Sequence, residues 1–84
     1  MVTITYDERK RLKTLQDRGL DFADLELEFF LEARVFPGNQ DGRFVAIGSF
    51  QEKVIAVIFA PLGTEGISVI SMRVASRKER RFIL

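Results

Sequence analysis

The fold is decided by residues 43–73, which read RFVAIGSFQEKVIAVIFAPLGTEGISVISMR. An unbroken apolar run follows Lys53, and this predicts a central strand over residues 53–60 that is buried on both faces. Two further strands are predicted at residues 43–50 and 67–73, separated from the central strand by short turns. Strands joined by such short turns pair antiparallel, so this stretch predicts a meander.

Residues 33–42 lead into this meander. Residues 33–36 could form one more strand, ended by Pro37. The run Pro-Gly-Asn-Gln-Asp-Gly at 37–42 is the clearest loop signal in the chain. In the strand at 67–73, side chains are expected to alternate, with Ile67, Val69 and Ser71 on one side and Ser68, Ile70 and Met72 on the other.

Helical signals precede the meander. Asp7 is a good N-cap for a helix that runs to about Arg18, where Gly19 stops it in a left-handed conformation. Asp21 is a second N-cap, and it predicts another helix over about residues 22–32. Both helices therefore lie between the N-terminus and the first strand of the meander.

The two ends of the chain complete the architecture. Residues 2–5 are β-branched and predict a short strand, and residues 75–82 are compatible with a strongly basic helix. The predicted fold class is α+β, with an antiparallel sheet of about four strands, two N-terminal helices on one face and a short basic C-terminal helix. Residues 1–84 are expected to form one domain.

Composition narrows the function. A chain of 84 residues with 46% hydrophobic residues is globular, but a core of this size supplies only about 3–5 kcal/mol. The chain contains no cysteine and no histidine, which excludes thiolate or histidine metal sites and a Ser-His-Asp triad. No signal peptide or membrane span is expected, and the absence of cysteine fits a cytoplasmic protein.

Basic residues concentrate near the two ends of the chain. One segment holds Arg9, Lys10, Arg11, Lys13 and Arg18, and the other holds Arg73, Arg77, Lys78, Arg80 and Arg81. If folding brings the two segments together over one open sheet surface near Arg43, they form a cationic patch suited to a polyanion. The alternative is that these charges merely keep two helices solvated.

The C-terminal segment also carries a candidate for chemistry. Arg73, Arg77 and Arg80 follow at helical spacing, and Glu79 is the only acid among them. Arginine binds phosphate oxygens with a planar fork and stays charged, which suits a phosphodiester. Glu79 is either a general base for RNA cleavage or an ion-pair partner of a neighbouring arginine. The general acid stays open between Lys10 and solvent.

Several short sequence motifs resemble those of the BrnT toxin family. They are Tyr6-Asp7-Glu8-Arg9-Lys10, Arg18-Gly19-Leu20-Asp21-Phe22-Ala23-Asp24, Arg43-Phe44 with Ile47-Gly48, and Ile70-Ser71-Met72-Arg73-Val74-Ala75 with Glu79-Arg80. The resemblance implies a RelE-like α+β ribonuclease toxin of a type II toxin-antitoxin system. It also implies a BrnA-like ribbon-helix-helix antitoxin as partner, with DNA contacted only through that antitoxin.

The resemblance also implies the site residues. Arg43, Arg73, Glu79 and Arg80 would form the catalytic site of a metal-independent endoribonuclease without a cofactor, and Lys10, Arg18 and Arg77 would contact RNA. Many relatives carry a histidine where this chain has Arg18, and the loop before Arg43 is shorter than usual. A catalytically inactive binding module that acts only through its antitoxin complex is therefore the alternative function.

Adjacent phenylalanines raise a question about partners. Phe29 and Phe30 are neighbours on the second predicted helix. One ring either is exposed for an antitoxin or a second copy, or packs under a neighbouring strand.

Overall fold

The secondary structure follows the chain in the order strand, helices, strands and helix. The computed structural model describes residues 2–83. Its elements are β1 (Thr3–Tyr6), α1 (Glu8–Arg18), a 3-10 helix (Phe22–Asp24), α2 (Leu27–Glu32), β2 (Arg34–Pro37), β3 (Phe44–Phe50), β4 (Lys53–Leu62), β5 (Gly66–Val74) and α3 (Arg77–Arg80). Within residues 2–83, no helix has the length and apolar character needed to cross a membrane.

One mixed sheet holds all five strands, in the order β1-β5-β4-β3-β2. Strands β2 to β5 form the predicted antiparallel meander. The expected count of about four is corrected to five, because β1 joins the sheet parallel to β5. A parallel pair needs a long crossover connection, which here runs through the helices and the rest of the meander. The α+β class is confirmed.

The first helix forms as predicted, and its ends show why. The Asp7 side chain accepts a hydrogen bond of 2.8 Å from the Arg9 backbone N–H, which caps the N-terminus. Gly19 adopts φ +70° and its N–H bonds to the Leu15 carbonyl, which ends the helix. The helix buries no residue, and Leu12 stays 54% exposed.

The prediction of one continuous helix over about residues 22–32 is wrong. It is broken into the 3-10 helix and α2, with Leu25 and Glu26 in extended conformation between them. The predicted cap is nonetheless present, since Asp21 accepts from the Ala23 N–H. The break lets Phe22, Leu25 and Phe29 all turn into the core, and this packing outweighs helix propensity.

One face of the sheet is covered by these helical segments. Its fully or nearly buried residues are Leu20, Phe22, Leu25, Phe29, Ala46, Ile55, Val57, Phe59, Val69 and Met72. Phe29 lies edge-on to Phe50, and Phe30 lies edge-on to Phe59 with ring centroids 5.4 Å apart. Both rings pack on this face, so of the two alternatives the structure favours packing under a strand over exposure for a partner.

A β-bulge in β5 changes the predicted alternation of its side chains. Phe59 pairs with Val69, but Ile58 pairs with Ser71, so Ile70 is an extra residue. As a result Val69 and Met72 share the covered face, although they are three positions apart. The next residue, Arg73, points to the other face, opposite Ala56. The prediction that Ile70 and Met72 lie on one side across from Val69 is therefore wrong.

The other face of the sheet is only partly covered. A small cluster of Ile47, Ala56 and Ala75 is packed by residues that include Phe36 and Ile83. Phe82, just after α3, packs against Phe36 with the rings tilted and their centroids 4.7 Å apart. The C-terminal segment thus covers one end of this face and leaves the rest open. We call this second surface the open face.

Candidate functional site

A cleft of about 470 Å³ lies on the open face. Its lining residues come from the end of β2, from the loop before β3, from the three strands β3, β4 and β5, and from α3. They are Pro37, Gly38, Asn39, Gln40, Arg43, Val45, Ile58, Arg73 and Glu79. The cleft therefore combines two guanidinium groups, one carboxylate, two amides and an aliphatic floor.

Arg73 and Glu79 form a two-pronged ion pair at one side of the cleft. Arg73 Nη1 donates to Glu79 Oε1 at 2.6 Å, and Nη2 donates to Oε2 at 2.9 Å. The Glu79 carboxylate also accepts from the Ser76 N–H at 2.8 Å, and the Ser76 hydroxyl accepts from the Glu79 N–H. This capping box fixes the carboxylate, which in turn fixes the plane of the guanidinium.

The ion pair sets the charge of both groups. The hydrogen bonds from Arg73 lower the pKa of Glu79 to about 2, and the Ser76 N–H contributes in the same direction. The hydrogen bond to Glu79 raises the pKa of Arg73. At neutral pH the carboxylate is ionised and is a weak proton acceptor, because its conjugate acid is strong.

Arg43 stands at the other side of the cleft, at the end of the loop. The Gly38 N–H donates to the Arg43 carbonyl at 2.8 Å, and the Arg43 N–H donates to the Gln40 carbonyl at 3.2 Å. A Cβ at Gly38 would lie 3.0 Å from the Arg43 carbonyl oxygen, so the loop is closed tightly on itself. No carboxylate within residues 2–83 forms a salt bridge with Arg43, which leaves its charge available to an anion.

The remaining predicted residues lie outside the cleft lining. Arg77 and Arg80 are exposed on α3, and Lys10 is exposed on α1. Arg18 Nη1 donates to the Met72 carbonyl at 2.7 Å, which places it beside β5 one residue before Arg73.

The expectation that both basic segments meet over the open face is therefore corrected. Within the part of the chain that the structure describes, α1 supplies no residue to the cleft lining. The reason is that α1 is held beside β5 and the 3-10 helix. Arg11 Nε bonds to Asp21 at 2.9 Å at one point of this contact, and Arg18 bonds to β5 at another.

Six residues of the cleft lining were not predicted as site residues, among them Pro37 and Gly38 of the loop. Asn39 and Gln40 belong to the loop signal before Arg43, and Val45 and Ile58 pair across β3 and β4. The alternation of β3 contains the missing signal, because Val45 lies two residues after Arg43 and therefore on the same face. The bulge at Ile70 had no local sequence signal.

Comparison with known proteins decides the family. Residues 6–79 match the family model described as the ribonuclease toxin BrnT of type II toxin-antitoxin systems. The chain belongs to the BrnT family. It is similar to the ribonuclease toxin BrnT of Brucella abortus, known from a crystal structure at 1.1 Å resolution. The two share 52% sequence identity and a TM-score of 0.83, over 92% of this chain and 100% of the Brucella chain.

The BrnT match agrees with the resemblance seen in the short sequence motifs. A search of curated proteins found no match. The family is described as a toxin of a type II toxin-antitoxin system, so membership implies an antitoxin partner. The crystal structure also confirms an α+β fold for the family.

Proposed function

We propose that this protein is a metal-independent endoribonuclease that cleaves RNA in the open-face cleft. The observation that carries the proposal is the convergence of Arg43 and Arg73 on one cleft, although 30 positions of sequence separate them. Two guanidinium groups facing a common cavity suit one phosphodiester, since each binds phosphate oxygens through a planar fork. Membership of a family of ribonuclease toxins supports this assignment.

The chemistry is an internal transfer at phosphorus. The ribose 2′-oxygen attacks the adjacent phosphorus, the bond from phosphorus to the 5′-oxygen breaks, and a cyclic phosphate and a 5′-hydroxyl result. Negative charge builds on the non-bridging oxygens in the transition state. Arg43 and Arg73 would stabilise this charge, and each well-placed donor contributes about 2.7–4 kcal/mol.

Glu79 acts in this proposal by positioning Arg73. Both of its oxygens accept hydrogen bonds from Arg73, and a carboxylate with a pKa of about 2 takes up the 2′-hydroxyl proton poorly. We therefore prefer the ion-pair role over that of general base. Water takes the proton from the 2′-hydroxyl, and water returns one to the 5′-oxygen.

The cations outside the cleft lining would attract RNA rather than act on the reacting phosphate. Arg80 follows Glu79 directly, and Arg77 lies on the same short helix. Arg18 lies beside β5, and Lys10 is on α1. Such charges raise the rate of encounter with a polyanion, and their contribution falls with added salt.

The family also supports a proposal about partners and place of action. We infer that the inhibitor is a BrnA-like antitoxin with a ribbon-helix-helix segment, through which any DNA contact is made. RNA cleavage by a RelE-like toxin of this kind would take place in the cytoplasm. Co-expression with such an antitoxin should restore growth in cells that express the toxin.

The direct test is expression of the chain alone under an inducible promoter. Growth arrest with RNA breakdown is the expected result, and Arg73→Ala or Arg43→Ala should reduce the purified protein's cleavage rate by about 100-fold or more. Arg80→Ala should cause a smaller loss. Arg9→Ala, an exposed cation on α1, is the matched control and should cleave normally. Thermal melts of each variant show whether the fold is retained.

A catalytically inactive binding module is the second candidate. Two observations favour it. The cleft carboxylate has a pKa of about 2, and the chain has no histidine to act near neutral pH. This function predicts salt-sensitive RNA binding without cleavage, together with normal growth of cells that express the chain. Intact RNA with harmless expression would therefore replace the first function with the second.

A further inference from the structure

The cleft has a second wall that the proposed phosphate chemistry does not use. This wall is the loop that contributes Asn39 and Gln40, two exposed residues of the lining that have amide side chains. An amide side chain carries both a donor and an acceptor, whereas a phosphate offers only acceptors. Two amides beside an arginine therefore suit a ligand that has a phosphate and also a neutral polar edge.

The floor of the cleft is aliphatic and accessible. Val45 and Ile58 are direct partners across β3 and β4, and both are only partly buried. They form one apolar step between the loop and Arg73 on the lining of the cleft. A flat ring can lie on such a step, because a base that has left its stack can be held in a pocket by packing against apolar side chains.

The spacing along β3 fits one nucleotide. Arg43 and Val45 are two residues apart on one face, which corresponds to about 7 Å along an extended strand. The phosphate and the base of one nucleotide are joined through a sugar that spans a comparable distance. The cleft volume of about 470 Å³ also falls within the roughly 300–1,000 Å³ typical of small-ligand sites.

The loop is fixed relative to the arginine. Two backbone hydrogen bonds close it, from Gly38 to the Arg43 carbonyl and from Arg43 to the Gln40 carbonyl. The residues that would read a base and the residue that would hold a phosphate therefore belong to one closed unit. Such a fixed arrangement favours selection between bases, because a mismatched base cannot be accommodated by moving the loop.

We propose that Asn39 and Gln40 read the edge of a single unstacked nucleobase that lies on Val45 and Ile58. This inference rests on the proposed function for its substrate class, RNA, and adds that cleavage depends on the base beside the scissile phosphate. Asn39 and Gln40 determine specificity, and they take no part in the bond changes at phosphorus.

Base preference is the quantity that tests the inference. Oligoribonucleotides that differ only in the base at the cleavage position are compared by kcat/KM. The wild-type protein should prefer its best base over its worst by about tenfold or more, since a good amide–base pair contributes about 1–3 kcal/mol of discrimination. In the double variant N39A/Q40A this ratio should fall below about threefold. Gln16→Ala, which removes an exposed amide on α1, should keep the wild-type ratio.

A conservative change distinguishes reading from simple loss of contact. Asn39→Asp replaces the amide donor with a second acceptor, so it should change which base is preferred. The inference would be overturned if both the double variant and Asn39→Asp kept the wild-type ratio of kcat/KM between bases and the wild-type order of preference. The proposed function would still stand in that case, because the variants would still cleave RNA.

Binding separates this inference from the ribonuclease proposal. Nucleoside 3′-monophosphates and ribose 5-phosphate are titrated into the wild-type protein and the double variant, with amide shifts followed by NMR. Base-dependent affinity that is lost in the double variant supports the inference even if no RNA is cleaved. Affinity that is the same for all four nucleotides and for ribose 5-phosphate overturns it, whatever the cleavage assay shows.

Discussion

The two faces of the sheet differ in what fills them. The covered face is packed with large apolar side chains from α2, the 3-10 helix and all strands except β2, and it includes the fully buried Phe22, Ile55, Val57 and Met72. The open face has a small apolar cluster at one end and a charged cleft beside it. The difference indicates that stability comes mainly from the covered face, which leaves the other free to carry charge.

A large change on the covered face should have the greatest effect. Phe22 is 0% exposed and lies edge-on to Tyr6, with ring centroids 5.8 Å apart. Phe22→Ala should cost about 3–5 kcal/mol of unfolding free energy, because it removes apolar contacts and leaves a cavity. That loss equals roughly all the stability expected for a core of this size. Urea denaturation followed by circular dichroism measures it.

The matched variant is Phe82→Ala, at the apolar end of the open face. Phe82 is 45% exposed and contacts Phe36. Its truncation should cost about 1 kcal/mol or less, as is usual for partly exposed positions. If both substitutions lowered the unfolding free energy equally, the covered face would not be the main source of stability.

A smaller destabilisation is expected from added volume on the covered face. A Cβ at Gly48 would lie 3.0 Å from Phe29 Cε1 and 3.2 Å from Ala33 Cβ. Gly48→Ala should therefore lower the unfolding free energy by about 1–3 kcal/mol through overpacking. Ser49→Ala, at the neighbouring exposed residue, should change little, and a thermal melt of both variants checks the difference.

On the open face, Glu79→Gln should reduce activity. Losing the charge loosens Arg73, and cleavage should slow by about tenfold, or ~1.4 kcal/mol in the activation barrier. Kinetics with the purified variant measure this. The binding of RNA should change less than the rate, since the positive charge of Arg73 remains.

The pH dependence of stability also tests the ion pair of Arg73 and Glu79. The folded-state pKa of Glu79 is about 2, below its ordinary value of 4.5. The ionised carboxylate therefore contributes stability above pH 4.5, and this is lost as the pH falls toward 2. Urea midpoints of wild type and Glu79→Gln should converge across this range. Asp17→Asn, which breaks the exposed pair with Lys13, is the control and should show no such convergence.

The smallest effect is expected at the turn between β3 and β4. Gln51 and Glu52 have φ of +49° and +67°, which are left-handed values that favour glycine. Glu52→Gly should raise the unfolding free energy by up to about 1 kcal/mol, because it relieves that strain. Gly42→Ala, at φ +78° in the cleft loop, should have the opposite sign. Equilibrium denaturation compares the two.

Features that depend on neighbouring residues could be predicted from the sequence. The Asp7 cap and the Gly19 stop depend on a few consecutive residues, so the bounds of α1 follow from them. The hairpin around Gln51-Glu52 is equally local, because it needs only two strand patterns and a short turn. The central strand is predictable from its apolar run alone.

Features that depend on distant packing could not be predicted. The helix breaks at Leu25 and Glu26 because Phe22 and Phe29 pack into the core from two separate helical segments. The parallel pairing of β1 depends on where a long crossover returns, and its own residues do not specify this.

The site was predictable in part, and for a different reason. Short sequence motifs shared with the BrnT family pointed to Arg43, Arg73 and Glu79, which the structure brings to one cleft. Asn39 and Gln40 of the loop belong to no such motif, and only folding brings them near Arg73. Charge clustering was a weaker guide, since it included α1, which supplies nothing to the lining within residues 2–83.

The extra residue in β5 makes the length of that strand as important as its composition. Upstream of Ile70, the strand must match β1, and downstream of it Met72 and Arg73 must fall on opposite sides. A single inserted residue between Ser71 and Met72 would put Met72 on the side of the cleft and would move Arg73 to the covered side, at the position that Val74 occupies. Homologues that retain RNA cleavage should therefore tolerate substitutions in this segment far more readily than changes in its residue count.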